Sequence, residues 1–197
     1  MNTLVKPFAA LRPETEHAST VIAPPYDVVN EEEVRALVNK SPNSFLCVSR
    51  PETEFPLGTN AHSDAVHARA KENLERLKTH RLLVRDDTPT YYVYKMKMGA
   101  HEQTGIALTA SVDAYNANLV KKHELTRPKK EDDRTRNMLS LNAQTGPVLS
   151  VYRTNQALKN LINNIKKNTS LFEVEGQYKV IHTIWRVEDA ITINAIT

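Results

Sequence analysis

Residues 63–83 carry Ala65, Val66, Ala68, Ala70, Leu74, Leu77, Leu82 and Leu83 among Lys, Arg and Glu, and within ten further residues the pattern changes. The first stretch predicts a long amphipathic helix with one apolar stripe to cover. The stretches that follow, "TYYVYKMKM" and "TGIALTASV", are dominated by aromatic and β-branched residues and are joined by the turn-like "GAHEQ". They predict a β-hairpin broken at Gly99. Helix and strand patterns intermixed in this way point to an α/β or α+β fold: a mixed sheet with an antiparallel hairpin and flanking helices, in a single domain over residues 1–197.

The remaining segments fit that class. Four prolines between Lys6 and Val29, ending in "VIAPPYDVV", remove backbone donors and fix φ, so the chain starts in an irregular, extended course. Asn30 with Glu33 three residues later is a capping-box pattern, and Val34, Leu37 and Val38 give the helix behind it an apolar stripe that ends at Pro42. "SFLCVS" reads as a short buried strand. Pro128 opens a helix, which Gly146 and Pro147 stop, and "VLSVY" starts a strand. Thr154 caps a helix to about Lys167, "QYKVIHTIWRV" has strand periodicity, and "EDAITINAI" begins a helix that the chain does not finish, as expected of one part of a larger protein.

Composition narrows the function classes. With 40% hydrophobic and 25% charged residues, 197 residues can bury a core, and a net charge of +3 spread along the chain argues against a nucleic-acid or membrane partner. One cysteine, Cys47, excludes an internal disulfide and a Cys-rich zinc site, and its apolar surroundings predict an inert thiol. The expected location is the cytoplasm. Five glycines, none in a dinucleotide- or P-loop spacing, leave basic side chains as the route to an anion.

Those side chains concentrate in "KKHELTRPKKEDDRTRN", residues 121–137, which holds seven Lys or Arg, four carboxylates and one His. Read as a surface, the stretch is a solvated helix whose first-turn acids suit the helix dipole. Read as a site, His123 and Glu124 form an acid/base couple before a helix N-terminus, Asp132 or Asp133 orients a partner, and Lys122, Arg127, Lys129 and Arg134 hold an anionic group. Asn142, Gln144 and Thr145 beside Gly146 offer hydrogen bonds, with a helix C-cap as the plainer reading. Tyr26 and Asp27 sit in a rigid turn, and Arg50 follows a predicted strand; turn duty and simple exposure are the alternatives. His62 and His67 stand five apart, which does not place them on one helical face, and no HExxH is present, so no metal site is expected. Trp185, Tyr91, Tyr92 and Tyr94 read as packing residues.

Taken in order, "VKPFAALRPE", "VIAPPYDVV", "SPNSFLCVSRPE", "YYVYKMKMGAHEQTGI", "KKHELTRPKKEDDRTRNMLSLNAQTGPV" and "HTIWRVEDAITINAI" resemble the bacterial family of domain of unknown function 1015 (DUF1015), in its N-terminal half. Members of that family are longer, and their second half carries a "DGHHR"-type motif similar to the phosphate-binding signature of the ParB and sulfiredoxin superfamily, which includes nucleotide-binding proteins and free-serine kinases. The resemblance implies a small-molecule phosphotransferase using ATP and magnesium, to which this chain would contribute the anion-binding acid/base cluster. A non-catalytic phosphate or nucleotide sensor and a structural or interaction domain are the competing readings. The expected partners are a small phosphate-bearing or anionic ligand and, through the C-terminal helix with Ile191, Ile193 and Ile196, a second copy or a following domain.

Overall fold

The computed structural model describes residues 3–123 and 127–197. In chain order the elements are β1 (Val5–Lys6), β2 (Leu11–Pro13), α1 (Ala18–Val21), α2 (Glu31–Lys40), α3 (Leu46–Ser49), α4 (Asp64–Thr79), β3 (Leu83–Arg85), β4 (Tyr92–Met98), β5 (His101–Ala107), β6 (Thr109–Ala110), α5 (Val112–Asn116), α6 (Pro128–Leu141), α7 (Gln156–Ile165), β7 (Phe172–Glu175), β8 (Ile181–Arg186) and α8 (Ala190–Ile196). The fold is mixed α/β, with antiparallel pairing in its largest sheet. The chain divides into two compact units, the first made of Met1–Thr15, Arg85–Glu124 and Val151–Thr197 and the second of Glu16–Val84 and Leu125–Ser150.

The first unit is built on a four-stranded sheet of order β5-β4-β8-β7. The β4–β5 hairpin turns between Met98 and His101, where Gly99 takes a φ of 58° that a side chain would resist. Register pairs Val93 with Ile106 on one side and Trp185 on the other, so these three share a face. Ile162 and Ile165 of α7 cover that face together with Tyr91 and Val187, and Leu158, Leu161, Ile193 and Ile196 complete the cluster. The Trp185 indole donates to the Asn168 carbonyl at 3.0 Å, which satisfies its polar edge. Beyond the sheet, Asp86 is buried between Arg12, whose Nε and Nη2 stand 3.0 and 2.8 Å from Oδ1, and the Tyr92 hydroxyl, which donates to Oδ2. The extended start of the chain is thereby fixed by charge as well as by the Phe8–Tyr92 ring contact at 5.4 Å.

The second unit is helical. Asn30 and Glu33 make the reciprocal capping box, at 2.9 and 2.8 Å, and Val34 of α2 packs with Val29 and Leu46. The predicted strand at "SFLCVS" is instead the helical turn α3. Leu46, Cys47 and Val48 are all buried, and a short run without a polar face carries no period that separates strand from helix. Val66, Ala70, Leu74 and Leu77 form the stripe of α4, which ends at Thr79 and not at Leu83, because Arg81 adopts a φ of 56° and Leu83 enters β3.

Other boundaries also differ from expectation: of the predicted turn "GAHEQ" only Gly99 and Ala100 lie outside the strands, since β5 begins at His101. The cap of α7 is Asn155, whose side chain accepts from the Leu158 amide, and not Thr154. The run at 177–187 becomes a strand only from Ile181, because Tyr178 and Lys179 take positive φ. Helix α6 stops at Asn142, whose left-handed φ of 49° and ψ of 39° end it before Gly146; Val148, Leu149, Val151 and Tyr152 are exposed and lie in no strand.

Candidate functional site

A cleft of about 290 Å³ opens in the second unit. Its floor comes from the packing of α4 on α6. Asp133, Asn137 and Leu141 are the buried residues of α6, spaced by four, so they occupy one face of the helix. On α4 that face meets His67, whose carbonyl accepts from the Ser140 hydroxyl at 3.1 Å. Pro128 at the first helical position presets φ and starts α6, with Arg127 as an N-cap that makes no side-chain capping bond.

Asp133 is the centre of the arrangement. Its side chain is 9% exposed. Oδ1 lies 2.6 Å from Nδ1 of His62, and Oδ2 accepts from Nε and Nη2 of Arg134 at 3.1 and 2.5 Å. Burial alone would raise its carboxyl, but the hydrogen bonds and charges of Arg134 and His62 outweigh it and hold the group below the ordinary carboxylate range. His67 approaches from inside, with Nε2 at 3.6 Å from the same Oδ1, beyond hydrogen-bond range. That nitrogen is buried and has no hydrogen-bond partner among the described residues. Burial lowers the His67 pKa; Asp133 opposes the shift, and Arg136, His62 and Arg134 add to it.

The opposite wall is the turn at "PPYDVV" with the end of α3. The Val28 amide donates to the Pro25 carbonyl at 3.2 Å, which sets Tyr26 and Asp27 at the corner. Arg50 donates to the carbonyls of Tyr26 and Val29, both at 2.8 Å, and pairs with Glu52. Its role in the geometry is to hold this turn. Tyr26 lies under Arg134, whose guanidinium carbon is 4.8 Å from the ring centre. The cleft thus gathers two imidazoles, a depressed carboxylate and two guanidinium groups around one small volume, which is a set able to bind a polar molecule and to move a proton.

The family model described as "Protein of unknown function (DUF1015)" matches residues 5–197. The chain belongs to this family. No curated protein and no solved structure matches it.

In this DUF1015 chain, five residues singled out from the sequence line this cleft: Tyr26, Asp27, Arg50, Asp133 and Arg134. Arg127 and Lys129 are exposed on the second unit and do not line it. Nor do Asn142, which is the left-handed cap of α6, Gln144, which donates to the Gly146 carbonyl at 2.8 Å, and the half-buried Thr145. Lys122 and His123 belong to the first unit, where Lys122 Nζ lies 4.7 Å from the centre of the Tyr115 ring and His123 is exposed. Glu124 lies outside the described residues.

Sequence reasoning passed over His62, His67, Glu52 and Asn137. The five-residue spacing separates the two histidines only if both stand on a helix, and His62 lies in the turn before α4, where its amide donates a hydrogen bond to Asn60 Oδ1 at 3.0 Å. Asp133 and Asn137 did leave a signal: two polar residues four apart in line with Leu141 interrupt what would otherwise be an apolar stripe.

Proposed function

We propose that the cleft of the second unit binds a small metabolite carrying an oxyanion, a phosphate ester or a carboxylate, and that Asp133 with its imidazoles moves a proton to or from it. The observation that carries this reading is the buried Nε2 of His67, which lines the cleft without a hydrogen bond. A buried polar atom of this kind calls for a partner that the protein itself does not provide. Arg134 gives the ligand a second, half-exposed cation.

In the phosphotransferase class implied by the family resemblance, the imidazole–carboxylate pair would take the proton of an acceptor hydroxyl as its oxygen bonds to the terminal phosphorus of ATP and the bond from that phosphorus to the bridging oxygen breaks, with ADP as the leaving group. Among the described residues no group of three or more His, Cys, Asp or Glu is arranged to hold a metal ion. The reading rests on oxyanion binding and proton transfer. Two-dimensional NMR of the whole chain, with inorganic phosphate and a panel of phosphorylated and carboxylated metabolites added to about 10 mM, tests it. Shifts at the His67 and Arg134 side chains are expected, and their absence across the panel refutes the proposal. Phosphoryl transfer from ATP to a bound acceptor would then separate the enzyme from a sensor that uses the same residues.

A further inference from the structure

We infer that the cleft takes up one proton together with its oxyanion, and that His67 is the group that receives it. This inference rests on the oxyanion reading above and deepens it. The charges around the site supply the first argument. Asp27, Glu52 and Asp133 line the cleft against Arg50 and Arg134, so among these five side chains the carboxylates outnumber the guanidinium groups by one. A further positive charge in the cleft therefore favours an entering anion.

The hydrogen bonds say where that charge goes. Both oxygens of Asp133 already accept, Oδ1 from His62 and Oδ2 from Arg134, and Arg50 is held by two carbonyls and Glu52. Among the described imidazoles and guanidiniums of the cleft, His67 has a nitrogen that is buried without a hydrogen bond, 3.6 Å from Asp133 Oδ1. The groups that bear on it are Asp133, Arg134 and Arg136 from α6 and His62 from the turn before α4, three of the four disfavouring an imidazolium. Burial acts in the same direction, so the free protein disfavours the imidazolium form of His67. An oxyanion beside Nε2 supplies both an acceptor and a countercharge, which favours the protonated ring. Binding then strengthens as pH falls, by up to about tenfold per unit while the free imidazole is neutral and the bound one is charged.

Isothermal titration calorimetry of the whole chain with sodium sulfate, at pH 7 in two buffers of different ionisation heat, reads the proton directly. Sulfate neither gains nor loses a proton in this range, so the uptake belongs to the protein. Uptake of close to one proton is expected in the native chain and in His101→Gln, whose imidazole is exposed in the first unit, and loss of it in His67→Gln. The ¹⁵N shifts of His67 in the native chain, moving from the neutral to the protonated pattern on adding sulfate, give the same answer without a variant. Sulfate binding without proton uptake, or uptake that persists in His67→Gln, overturns this inference and leaves the oxyanion reading standing. Failure of both sulfate and phosphate to bind overturns the two together.

Discussion

The guanidinium of Arg134 bridges two chemistries: it donates to Oδ2 of Asp133 and stands 4.8 Å from the centre of the Tyr26 ring. A cation over an aromatic face contributes about 0.5–1 kcal/mol at a partly exposed site. Replacing Tyr26 with Leu should lower stability by that amount in urea unfolding and broaden the Arg134 side-chain NMR signals. Tyr26→Phe keeps the ring and should behave like the native chain; an equal loss in Phe and Leu would assign the effect to the hydroxyl.

In the first unit, Asp86→Asn should cost about 1–3 kcal/mol at neutral pH, because it leaves Arg12 without its carboxylate in a buried setting. Burial works to raise this carboxyl, but hydrogen bonds from Arg12 and Tyr92 and the charges of Arg12 and Arg186 hold it below the ordinary 3.8. The Tyr92 phenol is pushed up to about 12, by burial first and then by Asp86. A depressed acid stabilises the fold above its unfolded pKa and loses that contribution as pH falls through the native value. The gap between native and variant chains should therefore be full above pH 3.8 and close below it. A gap that stays constant down to pH 2 would show that the carboxylate's charge is irrelevant.

The capping box predicts an asymmetric pair of losses. Asn30→Ala should destabilise by about 0.5–2 kcal/mol, since its side chain satisfies the Glu33 amide at the helix start. Glu33→Ala removes only the return bond to the Asn30 amide and should cost less. Denaturant midpoints of the two variants decide it, and an equal or inverted order contradicts the assignment.

Cys47 is 1% exposed, and burial pushes its thiol up to about 11, ahead of the opposing charge of Arg76. At pH 8 a disulfide reagent should react with the folded chain only as fast as the second unit opens, and at once in denaturant. Rapid labelling under native conditions would mean that the α3–α4 packing is looser than described.

What could be read beforehand follows the strength of local pattern. The helix at 64–79, the Asn30 box and the 92–107 hairpin each carry a period or a cap that no neighbour overrides. At Leu46–Val48 and Val148–Tyr152 the sequence offers only short apolar runs; burial on all sides bent the first into a turn, and the second found no strand to pair with among the described residues. For the site, the polar interruption at Asp133 and Asn137 and the rigid turn at Tyr26 were local and visible. The meeting of His62, His67 and Asp133 was not, because it depends on how α4 lies along α6 and on a turn outside either helix.

The way the chain crosses between its units also has a consequence on the ribosome. The second unit has its last residue when Ser150 is made, whereas β4 waits for β8, which pairs along its second edge from Ile181 onward. At typical elongation rates that interval is on the order of a few seconds. Throughout it, the hairpin presents the Tyr92–Met98 edge unpaired, with Val93 uncovered by Trp185. The nascent chain is thus most open to wrong pairing in its most regular strand, at a time when the helices that carry the cleft can already pack.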